Sequence, residues 1–331
     1  MKKFLLVSEF SNKETQYFYA DSFFKFISRN QKYRVTKFNT NKPSWLGHFH
    51  AKIASILNIF FEFYLSALLI IEVEKLKPDV IFLLKAEQIN FRAIRYFYSK
   101  NICIFNFYPD SPFSFYNGNS NSNILQSLPF YETFFCWNER FNYSLQTAGA
   151  RKIKYLPFFA DQELFYPETM DPKYDISFVG AWDKKREDML NIVAQAFADK
   201  KIFIAGPNWQ NSTSETLKPL ICHKSLTQAE MRTVFCQTKI NFNILKEQNK
   251  ASINMRTFEI PSCGAFMLSE DSIDQKNYFE SNVEAGYFNE QNLTEKINFY
   301  LKNDNERSKI AKKSFEKNIN YSLSNLLENL V

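Results

Sequence analysis

Ser252-Ile-Asn-Met-Arg-Thr-Phe-Glu-Ile-Pro-Ser-Cys-Gly-Ala-Phe-Met-Leu-Ser269 passes from a polar loop into a short helix beginning near Asn254, then leaves through Gly264 into an apolar strand over 265–269. In an open parallel sheet such a helix turns its N-terminus towards the crevice at the carboxyl ends of the strands, where α/β proteins bind ligands. Outward from this stretch the same alternation repeats. Strand-like runs cover 175–179, 201–205 and 239–244, with helical patterns over 184–198 and 227–236. The tail over 293–330 reads as helix with charged faces.

The first half has its own series. Apolar or β-branched runs at 4–8, 33–38, 79–84, 102–108, 132–137 and 152–156 alternate with helical patterns at 15–28, 49–76, 88–99 and 138–148. This βα order predicts a second open parallel sheet covered by helices. Periodicity lapses between Pro157 and Pro172, with Pro167 inside the gap, which predicts a first domain over 1–160, a hinge over 161–172 and a second domain from 173. The polar run 117–123 reads as a mobile surface loop.

With 331 residues, 45% hydrophobic and 23% charged, the chain carries enough apolar material for two folded domains and too much for disorder. The 36 Phe read as core filler, and a net charge of +6 is far too mild for a dedicated nucleic-acid binder. Cys103, Cys136, Cys222, Cys236 and Cys263 are odd in number and sit in apolar contexts, so they read as reduced core residues. The opening run over 4–7 is too short for a signal-peptide core, which gives a cytoplasmic expectation. The stretch over 53–71 approaches the length of a bilayer span but contains Glu62. It is expected to be a buried helix on a sheet face, with peripheral contact at the inner membrane surface as the lesser reading.

The seven glycines stand far apart, so neither a dinucleotide fingerprint nor a Walker-type phosphate loop can be written. There is no Gly-x-Ser-x-Gly elbow, no zinc-ligand spacing and no Asp-x-Asp pair, and the lone His48/His50 pair is a weak metal signal. No metal and no cofactor are expected. In the opening stretch, Arg256 can add charge for a diphosphate and Glu259 can accept two ribose hydroxyls. Read as an ordinary helix, the same two residues form an i, i+3 ion pair.

The stretch over 254–266 resembles the signature of CgeB-type glycosyltransferases, a GT-B branch whose C-terminal domains resemble family-4 glycosyltransferases. Asp175-Ile-Ser-Phe-Val-Gly-Ala-Trp182, Lys184-Lys-Arg186, Ala205-Gly-Pro-Asn-Trp209 and Leu226-Thr-Gln-Ala-Glu-Met-Arg232 follow the pattern in order, so the likeness covers about 174–315. In the first half only Tyr108-Pro-Asp-Ser-Pro112 and the βα order agree.

The resemblance implies two facing Rossmann-like domains with parallel sheets. The N-terminal one would receive the acceptor, the C-terminal one over 173–316 would bind a nucleotide sugar, and a last helix over 317–331 would pack back on the first domain. It assigns donor contacts to Gly180, Lys185, Arg186, Pro207, Trp209, His223, Asn254, Met255, Arg256, Thr257 and Glu259. Domain closure around the hinge would exclude water. The expected reaction is metal-independent transfer from a nucleoside-diphosphate sugar, UDP by default, to a bacterial surface glycan, glycolipid or protein. Fixed cations would stabilise the leaving diphosphate. One departure stands out: the family-4 pattern has a carboxylate eight positions before Glu259, where this chain has Ala251. Retaining chemistry is favoured. An inverting enzyme would need a base, for which Asp110 is the first candidate and Glu9 the second. Turn chemistry explains Asp110 between two prolines equally well. A non-catalytic sugar- or nucleotide-binding relative and a sugar-nucleotide epimerase are the alternatives.

Overall fold

The computed structural model describes residues 1–10, 18–41, 51–115, 119–246 and 253–323. The chain divides into two compact units, the first ending at Pro157 and the second starting at Phe158.

In the first unit, β1 (Lys2–Ser8), α1 (Phe18–Arg29), β2 (Tyr33–Asn39), α2 (Ala51–Leu76), β3 (Val80–Leu84), α3 (Phe91–Ser99), β4 (Cys103–Tyr108), α4 (Ser122–Ser127), β5 (Thr133–Cys136), α5 (Asn142–Thr147) and β6 (Ile153–Tyr155) follow one another. The strands form one parallel sheet in the order β2-β1-β3-β4-β5-β6. Leu5 pairs with Ile81 and Ile81 with Ile104, so the central strands are in register as near-continuous apolar runs, as a sheet covered on both faces demands. One face packs Leu5, Val7, Ile81 and Leu83 with Leu65, Leu69 and Val73 of α2. On the other, Phe4, Phe23, Phe82 and Phe107 meet ring to ring at centroid separations of 5.5 to 6.3 Å, which places much of the phenylalanine excess in the core.

In the second unit the order is β7 (Tyr174–Val179), α6 (Lys184–Ala196), β8 (Ile202–Ala205), β9 (Ile221–Cys222), α7 (Gln228–Cys236), β10 (Thr238–Asn243), α8 (Arg256–Ser262), β11 (Met267–Glu270), α9 (Ile273–Tyr278), β12 (Gly286–Phe288), α10 (Leu293–Lys302) and α11 (Asp304–Asn318). This sheet is also parallel, ordered β12-β11-β10-β7-β8-β9. Local signals set the helix starts. The Asp183 side chain accepts from the Arg186 amide at 2.9 Å to open α6, and Thr227 with Glu230 forms a reciprocal capping box on α7. Each sheet therefore reverses its winding once, between β1 and β3 in the first unit and between β7 and β10 in the second. These are the positions where α/β sheets open a ligand crevice.

Three readings of the sequence need correction. Helix α2 is not a buried helix: it buries Leu65, Leu69 and Val73, but the opposite stripe stands in solvent, because a helix lying on a sheet can bury only one side. The run read as a surface loop is partly interior. Asn119 and Asn123 are buried, with the Asn119 carbonyl accepting from Tyr108 and Asn123 Nδ2 donating to Glu62 at 3.0 Å; 116–118 lie outside the described residues. The tail is helical as expected, in two helices that break at Asn303, and the expected return to the first domain is the third reading to correct. Beyond α11, Asn318 Nδ2 donates to Phe258 O at 2.9 Å and to Ser262 Oγ at 2.6 Å, Tyr321 packs its ring on Phe258, and Ser322 bridges to Ala160, all within the second unit. The 324–331 part of the expected return helix lies outside the described residues.

Candidate functional site

At the ends of β7 and β8 two glycine turns interlock. Gly206 has φ +141°, and a Cβ there would lie 2.1 Å from Gly180 O, so only glycine fits. Gly180 N donates to Ala205 O, Trp182 N donates to Pro207 O, and Trp209 Nε1 donates to Gly180 O, each at 2.9 Å. Trp209 is buried edge-on to Phe178. Its ring is a wall of the core, not an exposed stacking surface, and Gly180, Pro207 and Trp209 act together as the scaffold of the crevice.

Three cations meet at the β7/β10 reversal. Arg186 is buried; its Nε and Nη2 donate to Ile244 O at 3.1 and 2.7 Å, and its Nη1 donates to Ala181 O at 2.8 Å. Burial, with the nearby Arg256 charge acting in the same direction, brings its pKa down to about 10. Arg256 Nε donates to Val179 O at 2.9 Å, while its Nη1 pairs with Glu259. Lys185 Nζ lies 2.6 Å from Glu270 Oε1 and 3.4 Å from Leu245 O. The three bonds of Arg186 all go to backbone carbonyls, while those of Arg256 go to one carbonyl, the Glu259 carboxylate and the Met231 sulfur.

Glu259 is fully buried on α8, and desolvation raises its pKa against the opposing pull of Arg256. Oε2 is held by Arg256, while Oε1 has no hydrogen-bond partner among the described residues, which is rare for a buried carboxylate oxygen. Of the two readings of this pair, the i, i+3 ion pair is the one formed in this structure. The start of α8 is fixed by Asn254, whose Oδ1 accepts from Thr257 N at 3.2 Å and whose Nδ2 donates to Asn243 Oδ1 at 2.8 Å. Thr257 is buried against Asn254 and Gln275, and Met255 occupies the turn before α8. Asn254 and Thr257 are therefore engaged in holding the helix. His223 is exposed just after β9, away from the β7/β10 reversal. Ala251 lies outside the described residues.

The corresponding crevice of the first unit brings Glu9 and Asp110 into one cluster. Lys85, immediately after β3, places Nζ 2.7 Å from Asp110 Oδ2, and Gln88 Nε2 donates to Glu9 Oε1 at 2.7 Å and to Glu87 Oε1 at 3.2 Å. Burial opposes charge on Lys85, yet Asp110, Glu87 and Glu9 together raise its pKa above the ordinary lysine value. Lys85 and Ala86 have φ of +59° and +55°, an unusual backbone for residues with a side chain, and the amide and carbonyl of Lys85 are held by Phe107 O and Asn106 Nδ2.

Sequence reasoning missed Lys85, Glu87, Gln88 and Glu270. All four stand at or just beyond carboxyl ends of strands, as Glu9 and Asp110 do. Lys85 through Gln88 follow the 79–84 run directly, so the signal was present for them. Glu270 lies one residue beyond the strand read over 265–269, and its role depends on the spatial neighbour Lys185.

The arrangement of two parallel six-stranded sheets matches known structures end to end. Sucrose-phosphate synthase from Thermosynechococcus elongatus superimposes with a TM-score of 0.72 at 10% identity, covering 100% of this chain and 97% of that one. HepE from Anabaena in complex with UDP-glucose gives 0.67 at 11% identity, covering 100% and 98%. The fold is GT-B. A glycosyltransferase from Rickettsia africae ESF-5 shares this GT-B fold at a TM-score of 0.66 and 12% identity, covering 100% and 97%. Residues 184–325, the part that carries the cationic crevice, match the family model described as Glycosyl transferase-like. No curated protein matches the sequence.

Proposed function

We propose that the chain is a glycosyltransferase that takes a sugar from a nucleoside-diphosphate sugar, held by the second unit, and passes it to a hydroxyl acceptor received by the first. The observation that carries this reading is the meeting of Lys185, Arg186 and Arg256 at the β7/β10 reversal, on the part of the chain matched by the glycosyltransferase-like model. Departure of a nucleoside diphosphate builds negative charge, and pre-fixed N–H donors stabilise it without reorganising at the moment of reaction. Arg256 has a second role in this scheme. On donor binding its guanidinium turns from Glu259 to the diphosphate, which releases the carboxylate to the ribose hydroxyls. No cofactor is required by this scheme.

UDP is the favoured carrier, since HepE of the same fold is seen with UDP-glucose. Retention at the anomeric carbon is favoured on the resemblance to family-4 glycosyltransferases; Asp110, held by Lys85, and Glu9, held by Gln88, are the carboxylates that an inverting route would use. A bacterial surface glycan, glycolipid or protein is the proposed acceptor class. The covered Glu259 also fits a non-catalytic nucleotide-binding relative, and one experiment separates the two. Calorimetric titration with UDP, GDP, ADP and CMP, without added metal, should give saturable binding to one nucleoside diphosphate, and the matching nucleotide sugar should then be turned over with release of that diphosphate. Binding without turnover across acceptors would favour the non-catalytic relative; no binding would remove the donor site.

A further inference from the structure

Helix α2 carries an apolar stripe that no described residue covers. Ile56, Ile59, Phe60, Phe63, Tyr64, Leu68 and Ile71 recur at helical spacing, with Phe60 68% and Ile71 64% exposed. The stripe runs roughly 22 Å along the helix. Soluble proteins rarely leave so continuous an apolar face in water unless it has an occupant. The opposite side of the same helix is fixed: Leu65, Leu69 and Val73 lie in the core of the first unit, Glu62 receives Asn123 Nδ2 at 3.0 Å, and Ser66 Oγ accepts from Asn90 N at 2.8 Å. The helix therefore cannot cross a bilayer without leaving its own sheet, although its length and composition alone would suit a span.

The flank of the stripe names the occupant. Helix α3 lies beside α2, with Asn90 against Ser66 at one end and Tyr96 against Glu74 at the other. Arg92, one turn before Tyr96, shares the side of α3 that meets α2. Arg92 and Arg95 are exposed on α3, which contains no acidic residue, Lys100 is exposed at its C-cap, and Lys75 continues the stripe one turn beyond Ile71. The exposed Glu74 is engaged by Lys100 and Tyr96.

From this juxtaposition we infer that the outer face of α2, flanked by the cations of α3, docks in the plane of an anionic lipid leaflet. The apolar stripe would enter the headgroup boundary, and Arg92, Arg95 and Lys75 would meet the phosphates, with long side chains reaching outwards from an apolar bed. A second copy of the chain suits the face poorly, since a two-fold contact would set each cationic flank against its twin or against the partner's apolar stripe. The inference stands on the first unit alone and does not depend on the proposed activity.

The test is flotation of the full chain with vesicles of phosphatidylcholine, alone or mixed with phosphatidylglycerol. The parent should float with the mixed vesicles and be released by salt. F60D/F63D should abolish flotation while melting as the parent does, because both side chains stand in solvent. R92E/R95E should weaken binding to the mixed vesicles at least about tenfold. As a check that does not rely on loss, F60W with brominated lipid should show quenching beyond that of the parent. A parent that stays in solution with both vesicle types overturns the inference. So does a parent dimer in sedimentation that F60D/F63D converts to monomer, which would give the face to a second copy.

Discussion

The two sheet reversals share a topology and differ in chemistry. At β1/β3, one lysine, Lys85, sits among Glu9, Glu87 and Asp110. At β7/β10, three cations are laid across backbone carbonyls, with the carboxylates of Glu259 and Glu270 as counter-charges. Topology opens the crevice in both units, and the few residues following each strand decide what enters it. In the proposed scheme the cationic crevice takes the diphosphate and the acidic cluster faces the acceptor side.

The comparison breaks most completely at the glycine turns that shape the second crevice. Gly206→Ala would place a methyl group 2.1 Å from Gly180 O on a backbone at φ +141°. It should destabilise the second unit by more than about 3 kcal/mol, since overpacking and backbone strain act together. Hydrogen exchange read by segment should show faster opening of β7 and β8 with β1 and β3 unchanged. Equal protection in the variant would mean the turns are not locked as described.

Next in size is Arg186→Met, which keeps much of the side-chain volume and removes the donors to Ile244 O and Ala181 O. Leaving those carbonyls without partners should cost about 2 to 3 kcal/mol in denaturant unfolding of the second unit. A variant as stable as the parent would turn Arg186 from a clamp into a dispensable charge.

The fold was readable because both halves announce it with repeated apolar runs and intervening amphipathic stretches, and parallel sheets need little else. The failures have physical causes. Two-residue β9 and three-residue β12 are too short to carry a period, and both exist only because a longer neighbour offers a ladder. Helix α2 is apolar on every side, so sequence alone cannot say which face is covered. Candidate residues could be named from the sequence where a strand end could be located, as for Glu9 and Asp110, or where a helix start carried a family-like motif, as for Arg186 and Glu259. Their partners were not, because Lys185–Glu270 and Lys85–Asp110 pair across 85 and 25 positions of chain.

Glu259→Gln sharpens the comparison on the binding side. It preserves shape and removes the charge, so ribose hydroxyls lose a charged acceptor and Arg256 loses its counter-ion. Nucleoside diphosphate binding should fall about tenfold, with the ribose-lacking inorganic diphosphate affected far less. A parallel loss for both ligands would place the effect on Arg256 and the diphosphate, not on ribose recognition.

The smallest effect belongs to the first unit and carries a pH signature. Because Asp110, Glu87 and Glu9 raise the Lys85 pKa above its ordinary 10.5, the charged lysine contributes stability that is complete below that value and fades as pH rises through the folded-state value. Asp110→Asn removes the nearest of these partners, which lies 2.7 Å from Nζ. The parent should exceed the variant by about 1 kcal/mol near neutral pH. The gap should hold to about pH 10 and narrow above it as Lys85 loses its proton in both proteins. A gap that stayed constant to about pH 11.5 would mean that Asp110 stabilises the turn through its backbone neighbours and that the lysine is a bystander. In that case the acidic crevice would be a set of separate turns, and its contrast with the clamped cations of the second unit would lose its electrostatic meaning.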